Sequence, residues 1–426
     1  MLNLARRSAE PESATAAWTR PSPVAYAVRF PSGTEERRGE GRPAFTLVVQ
    51  DRRHLQQVLE ADAYSAALSF IGGDFDVVGD LVAAVRFQQD HHRRGWRTVL
   101  HAAAARLAPH RIETWVQSRA RAAWNIRSHY DRSNEFYRQF LDRRLVYSCG
   151  YFQTPDTPLD EAQIAKLDHV CRKLDLEAGD RFLDIGCGWG ALLVHAAEHY
   201  GVRATGCTLS RSQAEYASEA ARQRVPGVNV AVHEADFRDV TGRFDKIASV
   251  GMFEHVGRHR LHRYFGKVHD LLEAEGLFLN HGIVRPEFVT DGAQTLFLQR
   301  RVFPGGELAH LSDVIRAAEL TGFEVLDVED LRPHYALTCR AWAERLQRNA
   351  AACLEPVDRT TYRTWLLYLA GAAASFEDGL TSVSQLLLAK RRSPRRRLTR
   401  NYMYAGTATA RRSPDAVEAK PERIPV

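Results

Sequence analysis

Arg181–Gln213, RFLDIGCGWGALLVHAAEHYGVRATGCTLSRSQ, decides the fold. Phe182, Leu183 and Ile185 surround Asp184 in a short apolar run, and Gly186, Gly188 and Gly190 follow at alternate positions. ALLVHAAEHY then leads to Gly201, a residue suited to a helix C-cap. The order reads strand, tight turn, helix. VRATGCTLS is the next apolar run, after a connection of the length expected between helix and strand, so the stretch makes one right-handed βαβ crossover. Glycines in such a turn let backbone approach a ligand, and the helix N-terminus behind them presents unpaired amides. The spacing is GxGxG, not the GxGxxG of a dinucleotide site, and no lysine follows to grip a polyphosphate. Asp184 suits the amino group of an amino-acid moiety, and a polar residue ending the second strand suits a ribose.

Working outward, VNVAVHE precedes Asp236 and Phe237, and FDKIASV, GLFLNHGIV, FEVLDVEDL and QLLLAKR read as further strands. Helical stretches between them predict an α/β fold, a mostly parallel Rossmann-like sheet with helices on both faces and ligands at the strands' carboxyl ends. Toward the N-terminus, VAYAVRF and AFTLVVQD read as the arms of a hairpin around the charged turn PSGTEERRGEGRP. Helical stretches from His54 to Ser69 and from Leu81 complete a small α/β module, with GGDFDVVGDL as a turn. The predicted organisation is a loose leader (1–23), this module (24–90), a helical linker (91–125) rich in Arg, Ala and Trp, a catalytic domain (126–392) and a basic, disordered tail (393–426). Trp115 and Trp124 in the linker suit either a membrane interface or helix packing.

The net charge of +6 is concentrated at one end. From Gln385 onward eleven Lys or Arg face three acids, so the chain before it is slightly acidic. With no aromatic-basic groove beside the core, nucleic acid is not an expected partner; the tail's arginines suit phosphate groups such as those of anionic lipid. No apolar run reaches the ~20 residues of a membrane helix, and the first residues lack a signal peptide's apolar core, which predicts a cytoplasmic protein. Six scattered cysteines without zinc spacing predict free thiols and no structural metal.

DxGCGxG with the following TLS resembles the S-adenosylmethionine site of class I methyltransferases. Upstream, HYDRSNEFY and YSCGYF resemble the cyclopropane-fatty-acyl-phospholipid synthase family, which includes the mycolic acid cyclopropane synthases, and neither is a generic methyltransferase feature. The resemblance continues through LDIGCGWGA, GCTLSRSQ, FDKIASVGMFEHVG, NHGI and HYALTCRAW, and reaches FIGGDFDVVGDL in the module. It implies a class I methyltransferase sheet. It also implies an enzyme that adds a methylene from S-adenosylmethionine across a cis double bond of a membrane phospholipid's acyl chain. Donor contacts carried over from the family are Tyr147, Ser148, Asp184, Gly186, Cys187, Gly188, Gly190, Thr208, Leu209, Ser210, Gln213, Asp236 and Phe237. The family's bound bicarbonate, its proton acceptor, maps onto Cys149, Glu254, His281 and Tyr335 with the backbone at Ile283. The resemblance further implies peripheral contact with the inner face of the membrane, and leaves the module as a homodimer contact or a membrane dock.

Attack of an alkene on a sulfonium methyl leaves a carbocation that must lose a proton to close the ring, and water would capture it. The site therefore has to be apolar and hold one well-placed base. Glu254 is the residue least easily explained otherwise, because a carboxylate beside Met252, Phe253 and Val256 is costly without partners. His255 reads as structural. The chain departs from many family members at Ala372, where they carry a cysteine; no step above requires that thiol. The insertion Arg285–Asp313 would help wall an acyl tunnel. The alternatives are methyl-branch formation, a small-molecule O- or N-methyltransferase, and a lipid-binding relative without turnover.

Overall fold

The computed structural model describes residues 24–92, 134–227, 229–289, 297–302, 307–393 and 397–404. The leader, the linker with Trp115 and Trp124, residues 129–133 of the upstream motif and the end of the tail lie outside these.

The N-terminal sheet holds β1 (Tyr26–Arg29), β2 (Glu35–Arg38), β3 (Phe45–Val48) and β4 (Asp76–Gly79) in the order β2-β1-β3-β4. The expected hairpin is corrected here: β1 and β3 are parallel, and β1 pairs antiparallel with β2, inside the stretch read as a turn. EERR conceals a strand because it lies at the sheet edge, where charged side chains are favoured; Glu35 meets Arg29 and Glu36 meets Arg52. GGDFDVVGDL likewise contains β4. Between β3 and β4 run α1 (Arg52–Glu60) and α2 (Ala63–Gly72), started by the side chains of Asp51 and Asp62, which accept from backbone amides. Gly73, at φ 87°, ends α2 in the left-handed region. Helix α3 (Leu81–His92) follows β4.

The large sheet has seven strands: β5 (Arg181–Ile185), β6 (Arg203–Thr208), β7 (Val230–Glu234), β8 (Phe244–Val250), β9 (Leu272–Val284), β10 (Phe323–Asp330) and β11 (Ser382–Lys390). Their order is β10-β11-β9-β8-β5-β6-β7, and β11 alone runs against its neighbours. The central strands read as unbroken apolar runs because both faces are covered. On β9, Phe278 packs with α7 (Leu261–Leu271) and α8 (Leu311–Leu320), while its neighbour Leu279 packs on the opposite side with α4 (Leu159–Lys173) and α5 (Ala191–Tyr200). Leu386 and Leu387 on β11 divide in the same way. Each such side chain, fully buried, contributes about 1.5–3 kcal/mol. Helix α6 (Arg211–Arg224) links β6 to β7.

Two long helices, α9 (Arg332–Arg348) and α10 (Arg359–Glu377), separate β10 from β11 and carry the N-terminal module. Arg363 of α10 is the anchor: its guanidinium donates to the carbonyls of Phe70 and Phe75 at 2.6 and 2.7 Å, pairs with Asp76 and lies over the Phe70 ring. A planar five-donor group satisfies several buried acceptors at once, which lysine could not.

The tail is corrected over its described part. Residues 397–404 lie against the body: Arg397 makes a two-pronged pair with Asp175 at 2.9 Å, Arg400 meets Asp327 at 2.8 Å, and Met403 is buried. Composition alone gives these arginines as a disordered patch suited to phosphate groups, because the acids they meet are brought to one surface only by folding. All six cysteines are free. Among the described residues no helix is long and apolar enough to cross a membrane.

Candidate active site

Two cavities meet at the carboxyl edge of the large sheet. The first, of about 550 Å³, is bounded by the glycine turn after β5, the ends of β6 and β8, and Asp236 and Phe237 beyond β7. The turn carries Gly186, Gly188 and Gly190 at φ 80°, 55° and 80°, in the left-handed region where glycine is favoured. At Gly186 a Cβ would also fall 2.8 Å from Met252 Cγ. Of the expected donor contacts, Tyr147, Ser148, Asp184, Gly186, Cys187, Gly188, Thr208, Leu209, Gln213, Asp236 and Phe237 line this cavity. Gly190 and Ser210 do not. Gly190 instead permits close approach to Ala217, and Ser210 caps α6 by accepting from Gln213 N.

Asp184 is buried, and its Oδ1 has no partner among the described residues. Burial pushes its carboxyl up to about 7, against the pull of Lys166. Such an atom calls for a cationic or N–H donor from a ligand. Lys166, on α4, was not anticipated. It is buried, donates to Ser148 Oγ at 3.0 Å, lines the same cavity, and is lowered to about 8 by burial. The available signal was a lysine in the stripe of α4 that also holds Ala162 and Val170.

The second cavity, of about 300 Å³, shares Tyr147, Gly251 and His255 with the first. Its remaining walls are mainly aliphatic and aromatic, and Glu254, Ile283 and Tyr335 stand among them. Glu254 sits in the single turn Phe253–His255 after β8. Its Oε1 accepts from Ile283 N at 2.7 Å, while Oε2 is sealed from solvent without a partner among the described residues. Burial raises this carboxyl to about 7, with the Ile283 N–H opposing. Gly282 makes the arrangement possible, because a Cβ there would lie 2.0 Å from the Phe253 ring and 3.0 Å from Glu254 Oε1.

His281 lies two residues before Ile283 on β9, so both side chains leave the same face. His281 lines neither cavity, which departs from its expected place beside the anion; Gln385 Nε2 stands 3.0 Å from its Nδ1, and its Nε2 is buried without a partner among the described residues. Burial pushes the ring down to about 3, so it is neutral, and with Gln385 donating to Nδ1 its proton rests on Nε2. Tyr335, on α9, stacks on Phe376 at 4.6 Å, and burial raises its phenol well above the usual 10, which keeps it a donor. The expectation for Cys149 is corrected. Its thiol is buried away from both cavities and points its donor at the carbonyls of Gly150 and Leu331, 3.2 and 3.8 Å away. Burial drives its pKa far above the normal thiol range, so it behaves as a small apolar residue. His255, read as structural, borders both cavities and is lowered to about 4 by burial.

Tyr147 at the junction is held by aromatic contacts to Tyr137, Phe140, Trp342 and Trp365. Phe136 and Tyr137, from the upstream motif, are fully buried in that cluster. The insertion contributes Phe297, Leu298, Glu307 and Leu308 to the second cavity, and Ala372 lines it too. Residues 290–296 and 303–306 lie outside the described residues.

A profile of the mycolic acid cyclopropane synthetase family matches residues 117–386. The chain belongs to that family. A Pseudomonas putida protein named "Probable fatty acid methyltransferase" is 38% identical over 82% of this chain and 88% of its own length. Cyclopropane mycolic acid synthase 3 of Mycobacterium tuberculosis is 39% identical over 62% of this chain and 96% of its own. Among solved structures, mycolic acid cyclopropane synthase CmaA1 complexed with SAH and CTAB has a TM-score of 0.61 at 35% identity, over 63% of this chain and 98% of that one. Coclaurine N-methyltransferase, at 21% identity and a TM-score of 0.57, shares the fold. The protein is thus a cyclopropane synthase-like, S-adenosylmethionine-dependent methyltransferase.

Proposed function

We propose that this family member closes a cyclopropane ring on a cis double bond in a phospholipid acyl chain at a membrane surface, with bicarbonate as the proton acceptor. One observation carries the reading: the first cavity and an apolar cavity meet at Tyr147, Gly251 and His255, and a carboxylate oxygen of Glu254 without a partner among the described residues lies beside that junction.

Bound in the first cavity, S-adenosylmethionine supplies an electrophilic methyl, and bicarbonate supplies a small oxygen base. Asp184 would receive the donor's amino group, and Tyr147 and Gly251, which line both cavities, would stand between the donor and the greasy side. The acyl chain lies among aliphatic and aromatic walls that keep water from the carbocation. The Tyr335 hydroxyl would donate to an anion, and Glu254 Oε2, with a pKa near 7, can share a proton with it. The proton lost from the added methyl leaves its electron pair to close the ring. A bicarbonate would meet Glu254 and Tyr335 at this wall, with the Ile283 N–H already given to Glu254 Oε1 and without the Cys149 thiol. Ala372 places only a methyl group in the apolar wall, and no step here uses a thiol.

Lipid extracts from cells with and without the protein test this. The expected result is a gain of one CH2 by mass spectrometry together with cyclopropyl protons by NMR. The name of the Pseudomonas putida relative favours one second reading, a methyl branch on the same acyl chain; a CH2 gain without cyclopropyl protons would establish it. Methylation of soluble amines or phenols in place of lipid would overturn both.

A further inference from the structure

Close to half of the apolar cavity's wall belongs to the N-terminal module. Ala63, Ala66, Ala67 and Phe70 of α2 line it, a stripe spaced i, i+3, i+4, i+7, and Leu81, Ala84, Val85 and Gln88 of α3 repeat that spacing. Two helices therefore turn one whole face each toward the space that Glu254 and Tyr335 border from the other side. Ala66, Ala67 and Ala84 are buried, so a longer side chain at any of them would enter the cavity and not solvent. Toward the end of α3 the wall turns polar: Gln88 donates to the Ala61 carbonyl at 2.9 Å, and both amide atoms of Gln89 are buried without a partner among the described residues. An alkyl chain gains nothing there, so the apolar space is bounded on that side. The wall is also held in place, because Arg363 ties the module to α10, whose Gly371 and Ala372 face the same cavity.

The family profile begins at residue 117, and 62% of this chain accounts for 96% of the mycolic acid relative. The module lies outside that shared part. We propose that it sets the register of the acyl chain: α2 and α3 limit how far the chain extends past Glu254, and so decide which double-bond position meets the donor methyl. This rests on the acyl-chain reading above.

The experiment uses the full-length protein and liposomes of phosphatidylglycerols whose acyl chains differ only in the position of one cis double bond. Relative kcat/KM across the series is compared for the wild type, Ala67→Leu and Ala84→Leu, with S-adenosylhomocysteine affinity measured in parallel. One methylene in an apolar pocket is worth roughly tenfold or more in discrimination. The expected result is therefore a shifted optimum, with the ratio between neighbouring positions changed by about that factor and S-adenosylhomocysteine affinity held within about twofold. Val85→Ala enlarges the space and serves if the leucine variants do not fold; its optimum should move the opposite way. An active wild type whose profile is unmoved in every folded variant overturns the inference alone. A wild type that binds S-adenosylhomocysteine yet is inert on the whole series overturns the acyl-chain reading and this inference together.

Discussion

The first cavity takes its walls from Leu145 to Tyr264, mostly at the ends of consecutive parallel strands, whereas the apolar cavity joins Leu47 near one end of the chain to Thr381 near the other. The first is a local construction. A glycine turn, the strand before it and the helix after it form a continuous stretch of sequence, so the ligand class can be read from spacing. The second exists only after the module has docked on α9 and α10. The polar groups also differ in kind: Asp184 turns a carboxylate oxygen without a partner among the described residues to the first cavity, while Glu254 and Tyr335 border the second. The comparison separates binding from chemistry, and each side can be broken alone.

The largest effect is expected at Glu254→Gln, which keeps the side chain's shape and removes the group that shares a proton. Turnover should fall about 10²–10⁴-fold, while calorimetry finds S-adenosylhomocysteine affinity unchanged. Equal losses in both would mean the two cavities are not separable. Asp184→Asn should do the reverse, weakening S-adenosylhomocysteine binding by about 10–100-fold, the worth of one hydrogen bond to a charged group. Gly282→Ala drives a Cβ into the Phe253 ring and should lower stability by about 1–3 kcal/mol, read by urea denaturation, with activity falling further as Glu254 is displaced.

Protonation sharpens the contrast between empty and filled cavities. Asp184 and Glu254 are both raised to about 7 in the folded protein, from ordinary values of 3.8 and 4.5. Between those values and 7 the folded state binds more protons than the unfolded one, so ligand-free stability should fall as pH rises through that window, by up to about 1.4 kcal/mol per pH unit per group. Denaturation curves at successive pH values should show a shallower fall for Glu254→Gln; an identical slope would mean Glu254 is ionised throughout. The smallest effect is expected away from both cavities. Arg397→Ala breaks an ion pair whose arginine is half exposed and should cost under about 1 kcal/mol, seen as a small drop in Tm with activity intact.

How much could be read beforehand follows the same division. Asp184 was legible because the glycine turn after a strand marks itself by pattern, whereas Thr208, Gln213 and Asp236 came with the resemblance to the family. Glu254 was legible because a carboxylate among Met252, Phe253 and Val256 needs a reason to be there. Other features depend on partners far along the chain. Strand β2 looked like a loop because edge strands favour charged residues, and Arg397 and Arg400 looked like part of a disordered tail because Asp175 and Asp327, which meet them, lie far off in sequence. Lys166 is hidden by lying on a helix that the glycine motif does not include. The Cys149 thiol was misplaced because a motif identifies a residue without saying which of its atoms faces the site.

The most direct test of methyl transfer across the junction uses S-adenosylmethionine deuterated on its methyl group, with purified protein and liposomes containing a cis-monounsaturated phospholipid. The expected product carries two of the three deuterons on a cyclopropane CH2 in the acyl chain, the third having left as the proton taken up beside Glu254, and Glu254→Gln forms almost none. Label on a headgroup nitrogen or oxygen, or undiminished ring formation by Glu254→Gln, would contradict it.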